Sequence, residues 1–132
     1  MEKFNKRNVL ALLRAGRKVL NSQDKLVHDW NNILEFNGEQ VFDDDNGNFY
    51  YYDFREEEDD DRIFVDVTHC KACIIGGIDL ACIGRYTIGE RDYAQNILVE
   101  QTTRLYNRSI SQTFNIAEVH AVYDAAIADL EN

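Results

Sequence analysis

The residues best placed for chemistry are His69, Cys70, Cys73 and Cys82. Cys70-x-x-Cys73 has the spacing of a metal knuckle or a redox pair, and His69 stands next to it as a third donor. A structural zinc site takes four ligands, and Cys82 lies nine residues further along what the pattern predicts to be one helix. One ion cannot reach all three thiols from that helix, so His28 or His120 would have to fold in to complete a site. The simpler expectation is that the cysteines are small buried hydrophobes, with no metal and no cofactor. A metal- or thiol-dependent enzyme centred on His69, Cys70 and Cys73 is the alternative.

Carboxylates are the other abundant chemical group. Asp43-Asp44-Asp45-Asn46-Gly47 invites comparison with a calcium loop. Placing Gly47 at the glycine position of such a loop puts Phe42, which offers no side-chain ligand, at its first position. The pattern fails there. Glu56-Glu57-Glu58-Asp59-Asp60-Asp61 supplies six further acids. General acid–base catalysis needs one raised pKa in a sheltered cleft, which a solvated like-charge run does not provide. Phosphate-binding glycine loops, a Walker-type lysine and a Gly-x-Ser-x-Gly turn are all missing, so no catalytic residue is assigned.

The charge is unevenly spread over the 132 residues and net −10. Residues 1–34 hold seven basic and three acidic groups, for +4; residues 35–66 hold two and thirteen, for −11; residues 67–132 hold five and eight, for −3. The negative excess therefore sits in one quarter of the chain. A net −10 opposes direct binding to nucleic acid, although Lys6, Arg7, Arg14, Arg17 and Lys18 line the first helix. The longest apolar run, Cys73 to Ile78, is far short of the roughly 20 residues of a membrane span. Lys3, Lys6 and Arg7 lead straight into an amphipathic pattern, so no signal peptide is expected. Three cysteines, an odd number, point to free thiols and a cytoplasmic location, in the host cell if the protein is viral. Proline is absent, which leaves turns to Gly, Asn and Asp.

The elements that carry these residues follow from periodicity. Asn5 caps a first helix with Val9, Leu12, Leu13, Gly16, Val19 and Leu20 on its inner stripe. Ser22 or Asp24 begins a second through Leu26, Val27, Trp30, Ile33 and Leu34, stopped by Asn37-Gly38. Val41-Phe42 and Phe49 to Phe54 read as strands around an Asn-Gly turn, and Arg62 to Val67 as a third strand. His69 to Ile83 reads as a buried helix whose small residues let a neighbour approach closely. Thr87-Ile-Gly-Glu90 and Asn115-Ile-Ala-Glu118 are capping boxes that open two more helices. The expected fold is α+β, mostly α: one domain, 1–132, with a bundle of about five helices (1–34 and 69–132) and an inserted acidic β-hairpin or three-stranded antiparallel sheet (35–68).

The segment Cys70-Lys-Ala-Cys-Ile-Ile-Gly-Gly-Ile-Asp-Leu-Ala81, followed by Glu118-Val-His-Ala-Val-Tyr-Asp-Ala-Ala-Ile127, resembles a family of small, mainly helical proteins of phages and actinobacteria with no assigned function. In that family a Cys-rich small-residue helix precedes a closing helix of Glu-Val…Asp-x-Ala-Ile type. The likeness covers about half the chain, mostly after residue 69. It implies helix packing and a viral origin, and carries over no active site. The acidic segment from Asp43 to Asp61 departs from it.

The acidic block is the candidate binding surface. Asp43, Asp44, Asp45, Asp53, Glu56, Glu57, Glu58, Asp59, Asp60 and Asp61 approach the charge density of duplex DNA, one charge per about 1.7 Å of axis. Tyr50 and Tyr52 stand beside them as aromatic anchors. The expected function is a non-catalytic, nucleic-acid-mimicking inhibitor of the anti-CRISPR or anti-restriction kind. Its expected partner is a host nucleic-acid-handling protein complex, with neither nucleic acid nor membrane bound directly. Apolar Tyr and Phe at a sheet edge are also compatible with a homodimer.

Overall fold

The computed structural model describes residues 5–27, 33–43, 48–52, 62–82, 86–108 and 114–131. Helix α1, Lys6–Val19, begins as its sequence directs: the Asn5 side chain accepts a hydrogen bond from the Arg7 amide, and Val9, Leu12, Leu13 and Gly16 are buried. Helix α3, Ile88–Tyr106, opens on a complete Thr87–Glu90 capping box and ends on Asn107 in the left-handed region. Helix α4, Ile116–Glu131, opens on a second box, in which the Asn115 carboxamide oxygen accepts from the Glu118 amide while Glu118 accepts from the Asn115 amide. Beyond the end of α3, the Arg108 guanidinium lies 4.3 Å from the Phe114 ring centroid and pairs with Glu118, tying α3 to α4.

At the described residues of the expected second helix, 22–27 and 33–34, no α-helix is present. A single 3-10 turn, Gln23–Lys25, leads to Leu26, which bridges to Ala72 in extended backbone. Trp30, expected on the same helix, lies outside the described residues. Strand β1, Leu34–Phe36, occupies the helix's predicted end and pairs antiparallel with β2, Glu39–Gln40. Asn37-Gly38 forms the turn between them. Both residues adopt positive φ, 50° and 84°, which is the type I′ hairpin geometry rather than a helix stop.

The helix expected from His69 is also shorter and starts later. Val67–His69 forms a 3-10 turn and Cys70 links it to β6, Lys71–Ala72, which completes the first sheet in the order β2-β1-β6. Helix α2 covers only Gly76–Cys82. Strand β1 needs a partner on its second edge, and Lys71 opposite Glu35 with Ala72 opposite Leu34 supplies it. Among the described residues there are thus four α-helices where about five are expected, and two small antiparallel sheets where one is expected. The second sheet has the order β3-β4-β5: Phe42–Asp43, Phe49–Tyr52 and Arg62–Val65. These three strands lie where the aromatic and β-branched runs place them. The fold remains α+β and mostly helical.

Helix α2 is the buried centre expected of its small residues: Gly76, Gly77, Ile78, Leu80, Ala81 and Cys82 are all covered. Helix α1 packs on α2, α3 and α4. Tyr123 of α4 reaches into this junction, fully buried, and its hydroxyl donates to the Ile74 carbonyl oxygen at 2.5 Å. A Cβ on Gly77 would stand 2.8 Å from that hydroxyl, and one on Gly16 3.0 Å from it. The two glycines therefore make the space that the tyrosine fills. Replacing Tyr123 by Phe keeps the ring and removes the donor to a buried carbonyl. We expect a loss of about 1–2 kcal/mol in urea unfolding with an unchanged m-value. A variant as stable as the parent would show that this hydrogen bond contributes nothing net.

Among the described residues, no helix is long and apolar enough to cross a membrane.

Candidate interaction surface

The second sheet has two unlike faces, set by its register. Phe42, Tyr50 and Phe64 are cross-strand partners, and Tyr52 is partnered by Arg62. Alternation then places Phe42, Tyr50, Tyr52, Arg62 and Phe64 on one face. The other face carries Asp43, Phe49, Val65, Tyr51 and Ile63. Phe49 is buried in the core, with Val65 packed beside it, and Tyr51 stacks on Phe36 of β1 with 6.0 Å between ring centroids. The first set is the outer face.

That outer face is aromatic and open. Phe64 is 60% exposed and Phe42 37%, while Tyr50, at the centre, is covered by its neighbours. Ring centroids lie 5.4 Å apart for Tyr50 and Tyr52, 5.5 Å for Phe42 and Tyr52, 5.9 Å for Phe42 and Tyr50, and 6.0 Å for Tyr50 and Phe64. These are the separations of mutually attractive tilted and edge-to-face rings, so the cluster is internally braced. The Arg62 guanidinium lies over the Tyr50 ring, 4.9 Å from its centroid.

The carboxylates named from sequence divide between two places. Asp44, Asp45, Asp53, Glu56, Glu57, Glu58, Asp59, Asp60 and Asp61 lie outside the described residues. Their attachment points are defined, however. Asp43 pairs with Phe49 at one end of the sheet and Tyr52 with Arg62 at the other, so the two acidic connections begin and end at opposite ends of the aromatic face. Asp43 belongs to the inner face. Its carboxylate is 17% exposed and 3.2 Å from the Arg91 guanidinium of α3. Arg91 in turn lies 3.9 Å from Asp79 of α2, and Gln95 donates to both Asp79 and the Ile75 carbonyl, each at 3.0 Å. Asp43 thus pins β3 to the helices and does not face outward.

Phe42, Arg62 and Phe64 were not among the residues singled out from sequence. Arg62-Ile63-Phe64-Val65 offers no simple polar–apolar alternation from which a face can be read. Only the pairing with Tyr50 and Tyr52 assigns it.

The thiols make no comparable site. Cys70 is buried, and burial pushes its thiol up to about 11, despite the opposing influence of Lys25. Its sulfur is 3.7 Å from the Asp66 carbonyl oxygen. Burial likewise raises Cys73. Both thiols are therefore disfavoured as the thiolate that nucleophilic or metal chemistry requires. His69 is exposed, and Cys82 lies within α2 close to the Tyr86 carbonyl. Among the described residues, no three His, Cys, Asp or Glu side chains gather as a metal-holding group. The cations of α1 are also partly committed: Arg14 pairs with Glu131 and Arg17 with Asp124, both on α4 and not on the acidic block.

Comparison with known proteins gives no match to a family model, to a curated protein or to a solved structure.

Proposed function

We propose that the chain is a non-catalytic binding protein that occupies a basic, nucleic-acid-binding surface of a host protein complex, as anti-CRISPR and anti-restriction inhibitors do. One observation supports the reading: an open sheet face carries four aromatic rings, and the two strand connections that leave its opposite ends hold nine carboxylates in their sequence. Exposed aromatic clusters are what interface centres use for affinity, because large rigid side chains lose little entropy on docking. Flanking like charge selects the partner. Nine carboxylates repel polyphosphate and attract a basic groove, raising the association rate and its sensitivity to salt.

The test uses purified nucleases of the CRISPR and restriction classes, with and without competing duplex DNA. Replacing Glu56 to Asp61 together by Ser should weaken binding about tenfold or more at low salt and flatten its salt dependence. DNA should compete with the parent protein for the same surface. Unchanged affinity and unchanged salt slope in the six-serine variant would remove the proposal, as would simultaneous binding of DNA and the inhibitor.

A further inference from the structure

We infer that the outer aromatic face reads arginine side chains of its basic partner, and that Arg62 is an intramolecular stand-in that the incoming guanidinium displaces from Tyr50. The inference rests on the proposed function and specifies its chemistry. Arg62 already demonstrates the geometry, with its guanidinium 4.9 Å from the Tyr50 centroid. Around that ring stand Phe42, Tyr52 and Phe64, whose centroids lie 5.4–6.0 Å from one another or from Tyr50. Such a cluster offers several negative ring faces within the reach of one or two cations. Arginine suits it better than lysine, because guanidinium is planar, stacks on rings and is less strongly hydrated than ammonium. The acidic connections starting at both ends of the face favour a partner rich in cations over an apolar or acidic one. A second copy of this chain, also net −10, meets the same repulsion.

Arg62 makes the inference testable, because its charge and its stacking can be separated. The probes are oligo-arginine and oligo-lysine peptides of equal length, titrated into the full chain at fixed ionic strength. The parent protein should prefer the arginine peptide. Arg62→Lys keeps the charge and weakens the internal stack, so it should tighten the arginine peptide about two- to fivefold. Phe64→Ala, at the exposed rim where folding is least at risk, should weaken that peptide by a similar factor and reduce the preference over lysine.

Arg62→Lys binding like the parent while Arg62→Gln binds more tightly overturns the inference, since net charge alone then governs affinity. Failure of both peptides to bind overturns it too. So does binding of a single-stranded oligonucleotide to the same rings, which stacking platforms elsewhere permit. Loss of binding in the six-serine variant with no effect of Phe64→Ala rejects the arginine reading and leaves the proposed function standing. Peptide binding that follows the expected pattern, without binding to any nuclease, rejects the proposed function and leaves the arginine reading standing.

Discussion

Gly76→Ala should destabilise this protein more than the same change at Gly16, Gly38 or Gly77. A Cβ at this position would stand 2.3 Å from the Ile33 carbonyl oxygen and 2.9 Å from the Ala72 side chain. The obstructing oxygen is backbone, and it already accepts a hydrogen bond from the Cys73 amide at 2.9 Å. It cannot retreat without loosening the junction between the first sheet and α2. Overpacking of this kind costs about 3 kcal/mol. For a domain of this length that corresponds to a fall of roughly 10–15 °C in melting temperature. Gly38→Ala is the informative contrast. Gly38 sits at φ 84° with nothing within 4 Å of the added methyl, so only backbone strain of about 1–2 kcal/mol is expected there. Urea unfolding followed by circular dichroism checks both variants. Equal midpoints for Gly76→Ala and the parent would mean that α2 can move away from Ile33 at little cost.

Glu90→Ala is the second large effect. This buried carboxylate closes the α3 capping box, accepting from the Thr87 amide at 3.1 Å. Its other oxygen accepts from the Asn5 amide and the Asn8 side chain, both at 3.0 Å. One side chain therefore caps α3 and fastens it to the start of α1. Truncation leaves three donors without this acceptor, for an expected loss of about 2–4 kcal/mol.

The same contacts predict a pH dependence. Burial pushes the Glu90 carboxyl up, but the hydrogen bonds from Thr87, Asn5 and Asn8 outweigh it and hold the group below its ordinary 4.5. The folded state thus binds this proton more weakly than the unfolded chain. Its stabilisation is complete above the unfolded pKa and is lost as pH falls through the folded value. Glu118, bonded by the Asn115 amide and Arg108, and Asp66, bonded by Thr68, are lowered in the same direction. Unfolding free energy should therefore fall as pH drops through and below the ordinary carboxylate range, and less steeply in Glu90→Gln. Parallel pH profiles for that variant and the parent would remove Glu90 from the acid response.

The candidate surface is half legible in the sequence. Tyr50 and Tyr52 stand beside the acids in the sequence, and as alternate residues of β4 they share its outer face. Asp43 was grouped with the neighbouring acids because composition cannot tell which carboxylate turns inward. Its Arg91 partner is 48 residues away. Asn37-Gly38 shows a different limit: the same dipeptide ends helices and makes hairpins, and the choice depended on whether Lys71–Ala72 arrived to complete the sheet.

Local interactions carry their own signal, so α1, α3, α4 and the three aromatic strands were determined by residues adjacent in the chain: caps within one turn, apolar spacing, and β-branched runs. Strand pairing and helix contacts join residues far apart, and their free energy comes from burial that no short segment achieves alone. Tertiary structure therefore decided that Leu34–Phe36 and Lys71–Ala72 would be strands, that Gly76 would start α2, and that Phe42, Phe64 and Arg62 would stand with the tyrosines on one open face.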